Sequence, residues 1–125
     1  MTHSNWETMM WMYPWDAQDE GVEPVLSAIQ DRAGIDGVGL AVAYHSGMFL
    51  LPHNPRRKLY FPQPSIYVEP DQARFRGLTI QPQVNDLAAS GVVESVRRES
   101  ARRGMRMTAW VVALHNTGLG TAHPS

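Results

Sequence analysis

The chain has 125 residues, 43% of them apolar, a formal net charge of −1 and no cysteine. That bounds it to one domain with enough apolar material for a core, and it excludes disulfides, thiolate zinc sites and thiol catalysis. A near-neutral charge argues against nucleic acid or an anionic membrane as the main partner, no apolar run reaches the ~20 residues of a membrane span, and M-T-H-S-N-W has no signal-peptide pattern, so the default location is cytoplasmic.

In chain order, Thr8 to Tyr13 (T-M-M-W-M-Y) is a compact apolar run stopped by Pro14, and it reads as a first strand, near 8–13. Asp19-Glu20-Gly21 then opens a helix, with acids at its positive N-terminal end and Pro24 tolerated in the first turn. Val22, Val25, Leu26 and Ile29 make its apolar face, and Gly34 is a C-terminal cap. The second strand is Gly37 to Ala43, small and apolar, ending in Tyr44-His45. Its glycines predict close approach of a neighbouring backbone.

Residues 46–85 hold six prolines, which argues against a long helix and for a long loop. Within it, Leu59-Tyr60-Phe61 and Ile66-Tyr67-Val68 are predicted as the two strands of a hairpin. Asp86 to Arg103 is helical in pattern, with Glu94–Arg98 and Glu99–Arg103 in the acid-first i,i+4 order. Gly104 ends it. The third strand, residues 105–114, is a nearly unbroken apolar run that closes in His115-Asn116 and a glycine-rich loop, T-G-L-G. Residues 1–36 carry seven acids against Arg32, and residues 95–125 carry five arginines against Glu99. This polarity reads as two solvated helix faces.

The order β-α-β-(long loop)-α-β implies an α/β fold with parallel strands and right-handed crossovers. Three such strands leave an open edge and an uncovered face. The expectation is therefore a single partial domain over residues 1–125: the first three βα units of a TIM (β/α)8 barrel, incomplete, as a truncated chain or a shortened reading frame. The alternative is a small self-contained parallel α/β domain. Self-association through the open edge is expected of the incomplete barrel.

In parallel α/β sheets, ligands bind beyond the carboxyl ends of the strands. The three strand ends here carry Trp15 and Asp16, Tyr44 and His45, and His115 and Asn116. Aromatic faces for a sugar ring beside hydrogen-bonding groups for its hydroxyls make these six the candidate substrate-binding residues. Side-chain alternation predicts His115 toward the pocket, with the small Ala109 and Ala113, and Trp110 toward the helices. The run G-M-R-M-T-A-W-V-V-A-L-H-N resembles the third strand of barrel glycoside hydrolases. Y-P-W-D and A-Y-H-S-G-M-F-L-L-P-H-N-P-R-R-K-L-Y-F are similar to the start of a group of uncharacterised bacterial proteins with glycoside-hydrolase-like barrels. The resemblance implies a carbohydrate ligand and catalytic carboxylates on later strands, commonly the fourth and seventh.

Glycosidase chemistry needs two carboxyl groups roughly 5–10 Å apart, and only Asp16 lies near a predicted strand end, so no catalytic residue is assigned. A metal-dependent barrel hydrolase is the first alternative, from His45, His53, His115, His123 and Asp16, but no H-x-H or H-E-x-x-H spacing occurs and neither metal nor cofactor is expected. The second is a non-catalytic binding module using the loop 53–61, where Arg56, Arg57 and Lys58 precede an aromatic pair. Those cations are more simply explained by pairing with neighbouring carboxylates.

Overall fold

The computed structural model describes residues 7–113 and 115–124. Residues 1–6, Leu114 and Ser125, and the readings that fall on them, lie outside the described residues. The first strand, β1, is Met9–Met12. Helix α1 follows at once, Pro14–Glu20, five residues earlier than expected. Pro14 does not merely stop the strand. It occupies the first helical position, where its missing N–H is not needed, and Asp16 accepts the Tyr13 N–H at 3.1 Å. Gly21, at φ 95°, breaks the helix. It resumes as α2, Val22–Ser27, and continues in a π-helical turn to Arg32. Gly34 caps that turn at φ 68°, donating to the Gln30 carbonyl at 3.0 Å.

The second strand, β2, is Gly37–Tyr44. The proline-rich excursion after it is not structureless. It holds β3 (Phe49–Leu50), β4 (Leu59–Tyr60), β5 (Ser65–Ile66) and a one-turn helix α3 (Gln72–Phe75). The expected hairpin is corrected here. β4 pairs with β3, whereas β5 pairs antiparallel with the end of β2, Ala43 opposite Ile66. Sequence gave the extended segments but not their partners, because short strands pair by where tertiary contacts carry them. The next helix is interrupted at Gly91 (φ 68°) into α4 (Asp86–Ala89) and α5 (Val92–Arg102). The third long strand, β6, is Arg106–Val111. It is shorter than predicted, and the T-G-L-G segment is not a loop but part of a short exposed helix, α6, Thr117–Ala122.

β1 and β6 both pair parallel with β2, which lies between them. The parallel sheet is thus β1-β2-β6, in sequence order. One face of β2 presents Val38 and Leu40, fully buried with Leu26 and Ile29 of the first helical layer and Val92 and Val96 of α5. Each such aliphatic side chain contributes ~1.5–3 kcal/mol over its exposed state. The other face presents Gly37, Gly39 and Ala41, opposite Met9 and Trp11 of β1 and Arg106, Thr108 and Trp110 of β6. None of these residues belongs to the buried helical cluster. A Cβ at Gly39 would stand 2.5 Å from the Trp11 ring, and one at Gly37 2.7 Å from the Arg106 carbonyl oxygen. At Gly37 the close neighbour includes backbone, as expected from the sequence; at Gly39 it is the Trp11 side chain, not a backbone.

The face assignment of Trp110 is reversed relative to the sequence expectation. Met107, two residues before Ala109, packs on the helical core, so Trp110 points the other way, onto the Gly39–Ala41 side with Trp11, 4.9 Å between ring centroids. Small residues of β2, not those of β6, create the space for large rings.

The charge asymmetry also has a structural consequence. Arg103, a tenth exposed, bridges Glu99 of its own helix at 2.8 Å to Asp31 at 3.2 Å and Glu23 at 3.4 Å of the acidic layer. The acidic and basic segments are neighbours joined by an ion-pair network, rather than two separately solvated faces. The expected helical pairs are present, though Glu94 and Arg97 (2.7 Å, i,i+3) meet more closely than Glu94 and Arg98 (3.9 Å).

A second polar cluster fastens the excursion. Asp19 of α1 has a fully buried side chain and takes Arg57 at 2.6 Å. Asn54, 1% exposed, donates to Asp19 at 2.9 Å and accepts the Arg56 and Arg57 backbone N–H groups at 2.8 and 2.9 Å. The Arg57 guanidinium also lies over the Tyr60 ring, 4.6 Å from its centroid. Removing one partner strands the other as a buried charge. Arg57→Met is expected to cost about 2–3 kcal/mol in urea unfolding, below the range for a fully buried pair because a third of the Arg57 side chain stays exposed. Arg56→Met in the same loop should stay within ~0.5 kcal/mol of the parent. Equal losses for the two would show that the Asp19 pair does not hold the loop.

Candidate functional site

The C-terminal ends of the three parallel strands lie on one rim. From β1 and the turn after it come Tyr13, Trp15 and Asp16. From β2 come Tyr44 and His45. From β6 come Trp110 and, beyond the strand, His115 and Asn116. The structure brings most of these together as an aromatic assembly. Tyr13 stacks on Trp15 (4.4 Å between centroids, 7° between planes) and meets Tyr44 edge-on at 5.1 Å. Trp110 stands 5.5 Å from Tyr13 and 5.4 Å from Tyr44. His45 stacks on Tyr44 at 4.3 Å and lies 4.5 Å from the His115 ring. Such offset and edge-to-face pairs each add ~0.5–1.5 kcal/mol beyond area burial.

The six residues do not share one role. Trp15 is 0% exposed, enclosed by Tyr13, Phe49, Tyr60 and Tyr67. It has no face left for a ligand and acts as the anchor on which the β3–β4 hairpin packs, which corrects its assignment to substrate. Its position inside the first turn of α1, not in an open loop, is the reason. Asp16 is spoken for as well, through its bond to the Tyr13 N–H. Burial pushes its carboxyl up to about 6, against the lowering effect of that backbone bond and with smaller raising contributions from Glu20 and Asp19.

Tyr44, His115 and Asn116 remain. They line a cavity of about 540 Å³ beyond the strand ends, with Ser65 and Ile66 of β5, Gln63 and Gln83 beside it, and Phe75 and Leu78 across it. Tyr44 is half-buried and accepts a long hydrogen bond, 3.4 Å, from the Tyr13 hydroxyl. Desolvation and that bond raise the Tyr13 phenol, so it stays a neutral donor. Asn116 caps α6, its side-chain oxygen accepting the Leu119 N–H at 2.8 Å, which leaves its amide hydrogens for a ligand. His45 borders the cavity through His115. Its Nδ1 sits on the Ser46 carbonyl oxygen, an acceptor only. That contact fixes the orientation of the His45 ring beside His115. No Asp or Glu lines the cavity, and no group of three or more His, Asp or Glu residues placed to hold a metal ion occurs among the described residues.

Sequence reasoning did not single out Tyr13, Phe49, Gln63 or Gln83. Tyr13 was legible as the last residue of its strand. The glutamines carried no signal, because only the pairing of β5 with β2 carries their segment to the rim. The loop cations, the candidate binding module, are placed elsewhere: Arg57 is bound to Asp19, and the Lys58 ammonium donates to the Pro52 and Asn54 carbonyls at 2.9 and 3.1 Å.

No protein-family model, curated protein or solved structure matches the chain.

The Asp16 shift has a measurable sign. A carboxyl whose folded pKa lies above its unfolded value binds more protons in the folded state between the two. Its ionisation therefore removes stability as pH rises from about 4 to 6, and the effect is complete above that window. With the group partly solvated, about 1–2 kcal/mol is expected. Thermal melts from pH 4 to 7 should show Asp16→Asn gaining on the parent as pH rises, since Asn keeps the acceptor for Tyr13 and never ionises. A constant difference across that range would show that Asp16 titrates normally.

Proposed function

We propose that the chain is the opening three βα units of a (β/α)8 barrel of the glycoside-hydrolase-like kind, and that its rim binds carbohydrate. The observation that carries this reading is the coincidence of the cavity with the C-terminal strand ends, where Tyr44, His115 and Asn116 converge beside an aromatic assembly. Three further features support it. The parallel strands run β1-β2-β6 in chain order, as consecutive barrel strands do. The helices pack on the Val38–Leu40 face, and the opposite face carries small residues on β2 with large rings beside them, Trp11 still 64% exposed, which is the mix of residue sizes that a barrel interior needs. After β1 stands Tyr13-Pro14-Trp15-Asp16, in place of the glycine-rich turn that a dinucleotide-binding sheet carries there.

The chemistry available at this rim is binding, not bond cleavage. Imidazole, phenol and amide groups can donate to and accept from sugar hydroxyls, and Phe75 adds an aromatic side chain to the lining. A hydrolytic pair of carboxylates is not among the cavity residues, so catalysis requires carboxylates from outside these strand ends.

Saturation-transfer NMR with a panel of neutral oligosaccharides tests the reading. Magnetisation should transfer to the sugar ring protons. His115→Ala and Tyr44→Phe should each weaken binding ~3- to 10-fold, the worth of one hydrogen bond; His115→Ala should not move the melting temperature, whereas Tyr44→Phe also removes the acceptor of the Tyr13 hydroxyl and should lower it slightly. Asn116→Asp, which keeps the helix cap and loses the amide donor, should weaken binding as His115→Ala does. Absence of transfer for every sugar in the panel would remove the carbohydrate reading.

A further inference from the structure

The β3–β4 hairpin is apolar on both faces, and its outward surface is separate from the cavity and independent of the carbohydrate reading. In a two-stranded ribbon, side chains alternate between faces. Phe49 and Tyr60, opposite each other, point inward onto Trp15 at 5.2 and 4.9 Å between ring centroids. The outward face holds Leu50 and Leu59, also opposite each other, continued by Met48 and Phe61. These four are 71%, 54%, 71% and 58% exposed for Leu50, Leu59, Met48 and Phe61. An ordinary surface ribbon is apolar inward and polar outward. Here large apolar side chains stand on both faces, and the outward set forms one continuous patch rather than scattered residues.

The ribbon is tied to α1 through its loop and its inner face. Asn54, Arg57 and the buried Asp19 lock the turn, and Phe49 and Tyr60 lock the inner face. The patch is therefore presented, not loosely folded back. Its charge is one-signed: between Ser46 and Val68 there are Arg56, Arg57 and Lys58 and no acid. Arg57 is neutralised by Asp19. Arg56 makes no ion pair among the described residues, and Lys58 bonds only backbone carbonyls, which do not cancel its charge. The acids that give the chain its net −1 sit largely on the helical layer, where Arg103 engages Asp31 and Glu23. The overall charge that spoke against an anionic surface thus averages over a segment whose own charged side chains, Arg56, Arg57 and Lys58, are all cations.

We propose that this hairpin is a membrane-surface contact, inserting Met48, Leu50, Leu59 and Phe61 into the interfacial zone of a bilayer with Arg56 and Lys58 against anionic headgroups. Four exposed side chains, on and beside two two-residue strands, are a small apolar area against the ~800 Å² per partner that a stable protein interface buries. A few apolar side chains beside cations suffice for interfacial binding, which scales with buried apolar area and with attraction to anionic lipid.

Co-sedimentation of the full chain with phosphatidylcholine vesicles, with and without about one quarter phosphatidylglycerol, tests this. Binding should appear on the anionic vesicles and weaken as salt is raised. It should fall about tenfold with Leu50→Ser/Phe61→Ser, and to a smaller degree with Arg56→Glu. The chain has no cysteine, so an environment-sensitive dye on Leu50→Cys reports insertion in an otherwise unchanged molecule. Its emission should shift to the blue on anionic vesicles. Unshifted emission, equal binding to neutral and anionic vesicles, or no sedimentation with either would overturn the proposal. So would a dimer in sedimentation equilibrium that Leu50→Ser/Phe61→Ser dissociates, since a second copy would then be what covers the patch.

Discussion

The two-sidedness of β2 is the constraint from which the remaining architecture follows. Val38 and Leu40 are branched, fully buried and face the helices, while Gly37, Gly39 and Ala41 leave almost no side-chain volume on the opposite face. The helical layer therefore has one place to pack. On the other face the flanking strands must supply the bulk, and Met9, Trp11 and Trp110 do so. A bulkier residue at 39 would meet the Trp11 ring. Because β2 is hydrogen-bonded on both edges, any shift in its register would move the helical core and the aromatic face together.

The second determinant is the way the long excursion is tied down. Its prolines deny it regular helix, and its strands are two residues long, too short to be stable alone. It is held by one buried carboxylate, Asp19, with Asn54 and Arg57, and by Trp15 as a packing post. A buried ion pair is poor as a source of stability, but it is specific, since only one loop geometry satisfies it. That geometry carries Gln63 and Ser65 to the end of β2, where they become part of the cavity wall, and it turns Leu50 and Leu59 outward. Among the described residues no helix is long and apolar enough to cross a membrane.

The rim separates side chains that the structure consumes from side chains that still face the cavity. Trp15 and Asp16 are consumed by the structure, one as a core ring and the other as a helix-end acceptor. Tyr44, His115 and the amide of Asn116 keep unspent hydrogen-bonding capacity toward a cavity without carboxylates. An aromatic at a strand end serves either purpose, and its burial decides which.

The sequence alone determined the parallel strand–helix alternation, the placement of the three long strands to within a few residues, and the tight approach at the β2 glycines, because these depend on local propensity, periodicity and the absence of a Cβ. It also brought Tyr44, His45, His115 and Asn116 to one rim, since parallel strands align their carboxyl ends. Only the tertiary structure decided which face Trp110 takes, because alternation gives two faces without saying which is covered; Met107 on the helical core fixes the answer. Likewise, pairing of the two-residue strands, burial of Trp15 and capture of Arg57 by Asp19 depend on contacts tens of residues apart in the chain, and no local pattern encodes which distant partner a short apolar or charged segment will meet.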